Sequence, residues 1–204
     1  MDLVVHQNVS KESFKSHNQV NVKFLKNFED SAILTKNQSM DLIKLCGFSL
    51  DDKFKLIYRA SLHGFDSKDF HNKCDGISPT LTIVESTESY IFGGFTKQSW
   101  DDSCSYKNDP SAFIFSLVNQ KNQPIKIKCS NSYSIFCNNT CGPTFGDGND
   151  LYIASNSNAN MLSHSKLGSA YKHLLYAYES EEAHNFLAGS LNFQSSEIEV
   201  YKMN

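Results

Sequence analysis

The chain has 204 residues, of which 40% are hydrophobic and 12% aromatic, with 19 basic against 22 acidic side chains. This length and apolar content are typical of one globular domain and exclude a largely disordered chain. The net charge of −3 lacks the basic excess that nucleic-acid binding requires, so the sequence argues against a nucleic-acid partner.

No targeting or membrane segment is recognisable in the sequence. A signal peptide would need an apolar stretch that is missing from the first residues, MDLVVHQNVSKESFK, and no window is apolar enough for a membrane span. We therefore expect a cytoplasmic protein, with the nucleus as the alternative location. The six cysteines are then expected to be free thiols, none of them a catalytic nucleophile.

The N-terminal part of the chain is polar and has no clear hydrophobic period. We interpret residues 1–38 as a poorly defined N-terminal segment and residues 39–204 as the folded domain. The first clear element is a short amphipathic helix, which has Ser39 as its predicted N-cap and ends at Gly47.

A strand over 53–61 and a second helix over 66–76, with Asp66 at its N-cap, come next. From Pro79 onward, apolar and polar residues alternate in short runs that turn-rich segments separate. The predicted strands are 80–86, 90–96, 112–118, 125–129, 133–137, 150–154 and 197–202. This pattern indicates a mostly β fold with minor α, a two-sheet antiparallel β-sandwich or a barrel, whose helices precede residue 76.

The segment GPTFGDGND, residues 142–150, has the composition of a turn or of a ligand-binding loop. Gly146 and Gly148 begin a G-x-G-x-x-G pattern, but Leu151 replaces the third glycine and a strand follows where a dinucleotide site needs a helix. Asp147 and Asp150 offer oxygen ligands, yet the glutamate of a calcium-binding loop is missing. We interpret the segment as a glycine-dependent bend that enters a strand.

Other combinations of reactive side chains are weak. His71 and Cys74 are three positions apart on the second helix, but no partner with zinc-ligand spacing accompanies them, and the pair Cys137 and Cys141 matches poorly. No serine lies in a G-x-S-x-G motif. The sequence therefore predicts no metal site, no cofactor and no catalytic residue.

Three features allow more than one interpretation. Glu197 and Glu199 lie two apart on the last strand, so both project from one face, as an acid/base pair, as an acidic contact surface or as a solvated face. Gly93 and Gly94 form a hairpin turn or lie inside a strand where a neighbour packs closely. Trp100, the single tryptophan, is expected to anchor the core or its edge.

Several phrases of the sequence occur in the order seen in TLDc domains, and the set resembles the protist members of that family. These phrases are LIYRASLHGF (56–65), FHNKCDGISPTLTIVEST (70–87), YIFGGFTKQSW (90–100), DPSAFIFSL (109–117), GPTFGDGNDLYI (142–153), FLAGS (186–190) and EIEVYK (197–202). One departure is the turn itself, where protist relatives tend to read GPTFGGGHD and this chain has Asn149 in place of that histidine.

The resemblance implies a sandwich of two antiparallel sheets with short flanking helices. It also implies a non-enzymatic adaptor or regulator, because relatives such as the oxidation resistance proteins protect cells against oxidative stress. Several family members bind the vacuolar-type proton ATPase and regulate its assembly, so this ATPase is the expected partner. The alternative is an unrecognised enzyme, hydrolytic or antioxidant, that uses a surface pocket.

A protein partner is expected at the end of the sandwich formed by the 142–150 segment and the last strand. The glycines would let the backbone approach the partner closely, the aspartates would accept hydrogen bonds, and the glutamates would attract a basic surface. The candidate partner-binding residues are Gly146, Asp147, Gly148, Asp150, Glu197 and Glu199.

Overall fold

The computed structural model describes residues 27–49, 51–173 and 175–204, which form two packed antiparallel sheets and a few short helices. The predicted fold class, a two-sheet antiparallel β-sandwich, is confirmed. The helices are α1 (Lys36–Cys46), α2 (Ala60–His63), α3 (Ser67–Cys74) and α4 (Glu181–Asn185). No helix in these three ranges is long and apolar enough to cross a membrane.

The strands are β1 (Phe54–Arg59), β2 (Thr80–Ser86), β3 (Ile91–Thr96), β4 (Ser105–Lys107), β5 (Phe113–Val118), β6 (Ile125–Lys128), β7 (Ile135–Cys137), β8 (Cys141–Phe145), β9 (Leu151–Ala154), β10 (Ser163–Ser165), β11 (Asn192–Phe193) and β12 (Ser195–Met203). Sheet 1 has the order β1-β12-β2-β3-β5-β6, and sheet 2 has the order β11-β10-β9-β8-β7-β4. Within the described residues, the chain crosses from one sheet to the other four times, at β4, β5, β7 and β12.

The main core lies between the two sheets. Val84, Phe92 and Ile198 of sheet 1 belong to one buried cluster with Phe145 and Ile153 of sheet 2. Burying this apolar surface is the dominant favourable contribution to folding. It also fixes sheet 2 as a rigid platform for the turns at its ends.

The outer face of sheet 1 is buried as well, because the segment that contains α1 lies on it. Phe28 and Leu42 of that segment share a second buried cluster with Leu81 and Phe115 of sheet 1. Residues 27–38, which the sequence assigns to the N-terminal segment, therefore pack against the sandwich. The remainder of that segment lies outside the described residues.

Helix α1 begins earlier than predicted. Its N-cap is Thr35, whose hydroxyl accepts a hydrogen bond from the Gln38 backbone N–H at 3.3 Å, while the Gln38 side chain accepts from the Thr35 backbone N–H at 2.8 Å. This reciprocal capping box places Ser39, the predicted N-cap, inside the helix. The predicted end is confirmed, since Gly47 caps the helix with a left-handed φ of 70°.

Strand β8 is the main strand that the sequence misses, because its glycine and proline suggest a turn. Pro143 lies in the register irregularity that the β8–β9 pair has between Cys141 and Thr144, where a residue without an N–H group is tolerated. The bend predicted over 142–150 is therefore a strand followed by a tight turn at 146–150. Strands β4, β10 and β11 and helix α4 are missed because they are only two to five residues long.

Gly94 and Trp100 show how closely the sheets pack. Gly94 lies inside β3, where an added Cβ atom would come within 2.6 Å of Cζ of Phe145, so this glycine permits close packing rather than a hairpin turn. Trp100 is buried against the same ring at a centroid distance of 5.5 Å, and its indole N–H donates to Thr80 Oγ1 at 3.1 Å. The tryptophan is thus a core anchor, as predicted.

Candidate functional site

The turn 146–150 joins β8 to β9 in the middle of sheet 2. Gly146 has a φ of 87°, and a Cβ atom at this position would come within 2.0 Å of Asp150 Oδ2. Asn149 also has a positive φ, 54°, and its N–H donates to the Gly146 carbonyl at 3.3 Å. The sequence of the turn therefore imposes one tight backbone conformation.

Asp150 anchors the turn from inside. Its carboxylate accepts backbone N–H bonds from Gly168 at 2.8 Å, Ser169 at 3.0 Å, Ala170 at 2.9 Å and Tyr171 at 3.3 Å. The side chain is fully buried, and this burial raises its pKa to about 6, although the four N–H donors act to lower it. The expectation that Asp150 offers an acceptor to a partner is therefore wrong, because its oxygens are used within the fold.

Asp147 is the acidic residue of the turn that reaches the surface. Its Oδ1 accepts a hydrogen bond from the Ser169 hydroxyl, and its Oδ2 accepts one from Asn131 Nδ2 at 3.4 Å. Its backbone carbonyl accepts from the Tyr106 hydroxyl at 3.0 Å. The neighbouring Gly148 is half-buried, as is Asp147 itself, so the turn presents an oriented carboxylate that solvent still reaches.

Exposed tyrosines surround Asp147. Tyr106, on the edge strand β4, is 42% exposed, Tyr133 is 47% exposed and Tyr178 is 51% exposed. The ring of Tyr106 packs edge-on against Tyr133 at a centroid distance of 5.2 Å and against the half-buried Phe136 at 4.7 Å. We call Tyr106, Tyr133, Tyr178 and Asp147 together the tyrosine surface.

Tyr178 lies on the other side of the turn, with its hydroxyl 3.7 Å from the position that a Cβ atom on Gly148 would take. Desolvation raises the pKa of Tyr178, and the negative charges of Glu179, Asp150 and Asp147 raise it further. Carboxylates therefore lie close to this side of the tyrosine surface.

The two glutamates of β12 are structural. Glu199 is fully buried; its Oε1 accepts from the Ala32 backbone N–H at 2.7 Å and from Arg59 Nε at 2.8 Å. Glu197 is also buried, and its Oε1 accepts from the Ser61 backbone N–H at 3.0 Å. These bonds tie the segment before α1 and the start of α2 to the last strand.

The structure does not bring these glutamates to the turn. Ile198 and Val200 point into the core between the sheets, so the alternating Glu197 and Glu199 point away from sheet 2. The predicted acidic contact surface on β12 is therefore wrong. Of the candidate residues, Asp147 and Gly148 are the two that reach the surface of the turn, and their binding role stays a prediction.

His71 and Cys74, the weak metal candidates, are engaged within the fold. His71 Nδ1 lies 2.8 Å from Asp75 Oδ1, and its Nε2 lies 3.0 Å from the Asn138 carbonyl and 3.1 Å from the Cys141 carbonyl. Cys74 is fully buried, and burial raises the pKa of its thiol. Among the described residues, no group of three His, Cys, Asp or Glu side chains has the geometry to hold a metal ion.

The six cysteines are free thiols in the structure, as predicted. Burial raises the pKa of Cys46 to about 12 and that of Cys137 to about 11. A thiol with a raised pKa is a poor nucleophile because it is rarely ionised. Cys104 is the exposed thiol of the set.

A hollow of about 220 Å³ lies between the β5–β6 loop and α4. It is lined by Gln120, Lys121, Tyr176, Glu181, Glu182, Asn185 and Phe186. This lining has carboxylates and a lysine but no Ser, Cys or His, the residues that most often act as nucleophile or general base. The Glu, Lys and Tyr side chains of this lining are the groups that the enzyme alternative would use here.

The sequence analysis does not single out the three tyrosines of the tyrosine surface. They occur in the polar segments SYKND, NSYS and YES, where a large aromatic residue has few apolar neighbours along the chain. An aromatic residue in such a context is a usable signal, because Tyr is enriched in protein interfaces. Their convergence on Asp147 depends on strand pairing, which a single sequence does not reveal.

Comparison with known proteins identifies a family that matches most of the chain and relatives that match part of it. A sequence model of the TLDc domain matches residues 27–204. The "MTOR-associated protein MEAK7" of Danio rerio is 31% identical over 64 residues, or 31% of this chain and 14% of that protein. Its Xenopus laevis counterpart is 28% identical over 96 residues, or 46% of this chain and 20% of that protein.

A further relative is the "Interferon-induced protein 44" of Homo sapiens, which is 27% identical over 85 residues, or 42% of this chain and 18% of that protein. The matched part of this chain thus spans between 14% and 20% of the length of these curated relatives.

Proposed function

Because the chain belongs to the TLDc domain family, we propose that it is a non-enzymatic regulator that acts by binding another protein. The partner proposed is the vacuolar-type proton ATPase, and a contribution to oxidative-stress resistance follows from that binding. The binding site proposed is the tyrosine surface.

The observation that carries this proposal is the exposure of three tyrosines around one oriented carboxylate. Tyr side chains bring large contact areas at a low entropic cost, since few rotatable bonds must be fixed on binding. The turn is already rigid, because Asp150 accepts four backbone N–H bonds from the neighbouring segment. A pre-organised aromatic surface of this kind lowers the entropic cost of binding a partner.

The relatives support a second candidate partner. MEAK7 is named as an mTOR-associated protein, so a complex that contains the mTOR kinase is the alternative to the proton ATPase. Both candidates place the chain among regulatory binding proteins, and one binding experiment separates them.

The experiment is capture from cell lysate with the immobilised full-length chain, with immunoblots for proton ATPase subunits and for mTOR. The wild-type chain is compared with the double variant Tyr106→Ala/Tyr133→Ala and with Leu62→Ala. Leu62 is 68% exposed on α2, next to sheet 1, so it is a control for removing an exposed apolar side chain elsewhere.

We expect ATPase subunits to be retained by the wild type and by Leu62→Ala, and lost from the tyrosine double variant. If mTOR is retained and no ATPase subunit is, the partner is a complex that contains mTOR and not the proton ATPase. Equal retention by all three proteins would show that the tyrosine surface is not the binding site. Turnover of an ester or peroxide substrate that is lost on changing Glu181 or Glu182 in the hollow would favour the enzyme alternative.

A further inference from the structure

We propose that the tyrosine surface binds a lysine or arginine side chain of its protein partner. This inference rests on the proposed function, because it names the chemical group that the partner brings to the same site. Three arguments support it: the carboxylates of the surface, the arrangement of its aromatic rings, and the unfavourable free energy of binding an apolar partner or a second copy of the chain there.

Carboxylates lie on both sides of the turn, Asp147 near Tyr106 and Glu179 next to Tyr178. Asp147 is held by Ser169 and Asn131 in one orientation while its side chain stays accessible. Desolvation raises the pKa of Tyr106, and its neighbours Asp147 and Tyr133 raise it further. An ammonium or guanidinium group near these hydroxyls would be attracted by the Asp147 carboxylate.

The tyrosine rings are the second component of the proposed cation site, beside the Asp147 carboxylate. Tyr106 and Tyr133 pack at an interplanar angle of 73°, and the two residues remain 42% and 47% exposed. A cation above a tyrosine face is attracted by the ring quadrupole, and arginine also stacks on the face with its planar guanidinium group. A cation placed there would have the Asp147 carboxylate beside it for a charge-assisted hydrogen bond.

Other occupants are disfavoured by the same carboxylate. A purely apolar partner would cover Asp147 without compensating its charge, and burying an unpaired charge is costly. A second copy of this chain related by a two-fold axis would bring the same surface, with Asp147 and Glu179, against itself, and like charges repel. A cationic group avoids both costs.

The test uses two capped pentapeptides as probes, Gly-Arg-Gly-Arg-Gly and the same peptide with citrulline in place of arginine. Citrulline has the shape of arginine but no charge, so the pair isolates the cation. Each is titrated into the isotopically labelled full-length chain and followed by the amide resonances of residues 106, 133, 147 and 178. Binding is measured at low and at high salt.

We expect the arginine peptide to shift these resonances, with an affinity that falls as salt rises and that exceeds the citrulline peptide's by at least about fivefold. Tyr106→Leu and Asp147→Asn should each weaken binding by about two- to fivefold. Glu88→Gln is the matched control, since Glu88 is an exposed acid in the β2–β3 turn, and it should leave the affinity unchanged.

Three results would overturn the inference: equal binding of both peptides, shifts spread evenly over Glu88 and the acids of α4, or no binding at about 10 mM peptide. Concentration-dependent dimerisation that Tyr106→Leu abolishes would also overturn it, in favour of a second copy. If the tyrosine double variant loses ATPase capture while both peptides bind equally, the proposed function stands and this inference alone fails.

Discussion

Two aspartates of one turn have different roles because their oxygens have different partners. Asp150 uses both carboxylate oxygens for backbone N–H groups inside the protein, and it is fully buried. Asp147, three residues earlier, makes side-chain contacts and remains accessible. The first residue therefore determines the shape of the turn, and the second determines its charge.

The pH dependence of stability tests the role of Asp150. Burial raises its folded-state pKa from 3.8 to about 6, so the native state binds an extra proton between these values. The contribution of Asp150 to the free energy of unfolding is therefore greatest below about pH 4, and it falls as the pH rises to about 6. Asp150→Asn removes this titration and also presents an amide N–H₂ to one backbone donor, at a cost of about 1–3 kcal/mol.

Urea unfolding of the wild type and of Asp150→Asn at several pH values measures this difference. The stability advantage of the wild type should shrink from pH 4 to pH 6 and then become constant. Burial lowers the pKa values of His164 and His173, so their contribution to stability rises with pH. Both proteins contain these histidines, so this contribution cancels in the comparison. A difference that stays constant over the whole range would contradict this role.

The sequence predicts the turn but not which of its acidic residues is buried. Glycine at 146 and 148 signals tight geometry, which the structure confirms at Gly146. Whether a carboxylate meets four N–H groups or solvent depends on the segment 168–171, which is distant along the chain. The same limit applies to Glu197 and Glu199, whose partners Ser61 and Arg59 belong to other elements.

At the scale of elements, sheet 1 is unusual because α1 and its preceding segment cover its outer face. All residues of β3 are buried, and all of β2 except Glu85. The second cluster, which includes Leu42 of α1, shields the sheet face opposite the main core. The segment before α1 is therefore part of the folded unit that supports the candidate site.

Truncation of Leu42 tests this packing. The side chain is fully buried, so Leu42→Ala should lower the unfolding free energy by about 2–5 kcal/mol through lost burial and a residual cavity. Asp41→Ala is the control on the exposed side of the same helix, with an expected change within about 0.5 kcal/mol. Equal urea midpoints for Leu42→Ala and the wild type would show that α1 does not pack on sheet 1 in solution.

The elements predicted well are those whose pattern is locally consistent. Strand 80–86 matches β2, and the capping residue Asp66 begins α3, because alternation and capping act within a few residues. Strand β8 is missed because Pro143 reads as a turn, although a register irregularity accommodates it. Which side of a strand faces α1 and which faces sheet 2 is a tertiary property that the alternation alone does not specify.

At the scale of the whole molecule, the sandwich holds a preformed surface beside the turn that joins β8 to β9, where these strands of sheet 2 end. The edge strand β4 carries Tyr106, the segment before β7 carries Tyr133, and the segment before α4 carries Tyr178. Family membership could be inferred from motif order in the sequence, and the match over residues 27–204 confirms it. The surface itself could not be predicted, because it combines three segments separated along the chain.

Hydroxyl-radical footprinting of the full-length chain, free and bound to purified vacuolar-type proton ATPase, tests the central claim most directly. Oxidation rates of exposed side chains report which of them the partner covers. The account predicts that Tyr106, Tyr133 and Tyr178 become protected, while the exposed Leu62 and Leu162 react as in the free chain. Protection centred on the hollow beside α4, or unchanged reactivity of the three tyrosines in the complex, would contradict it.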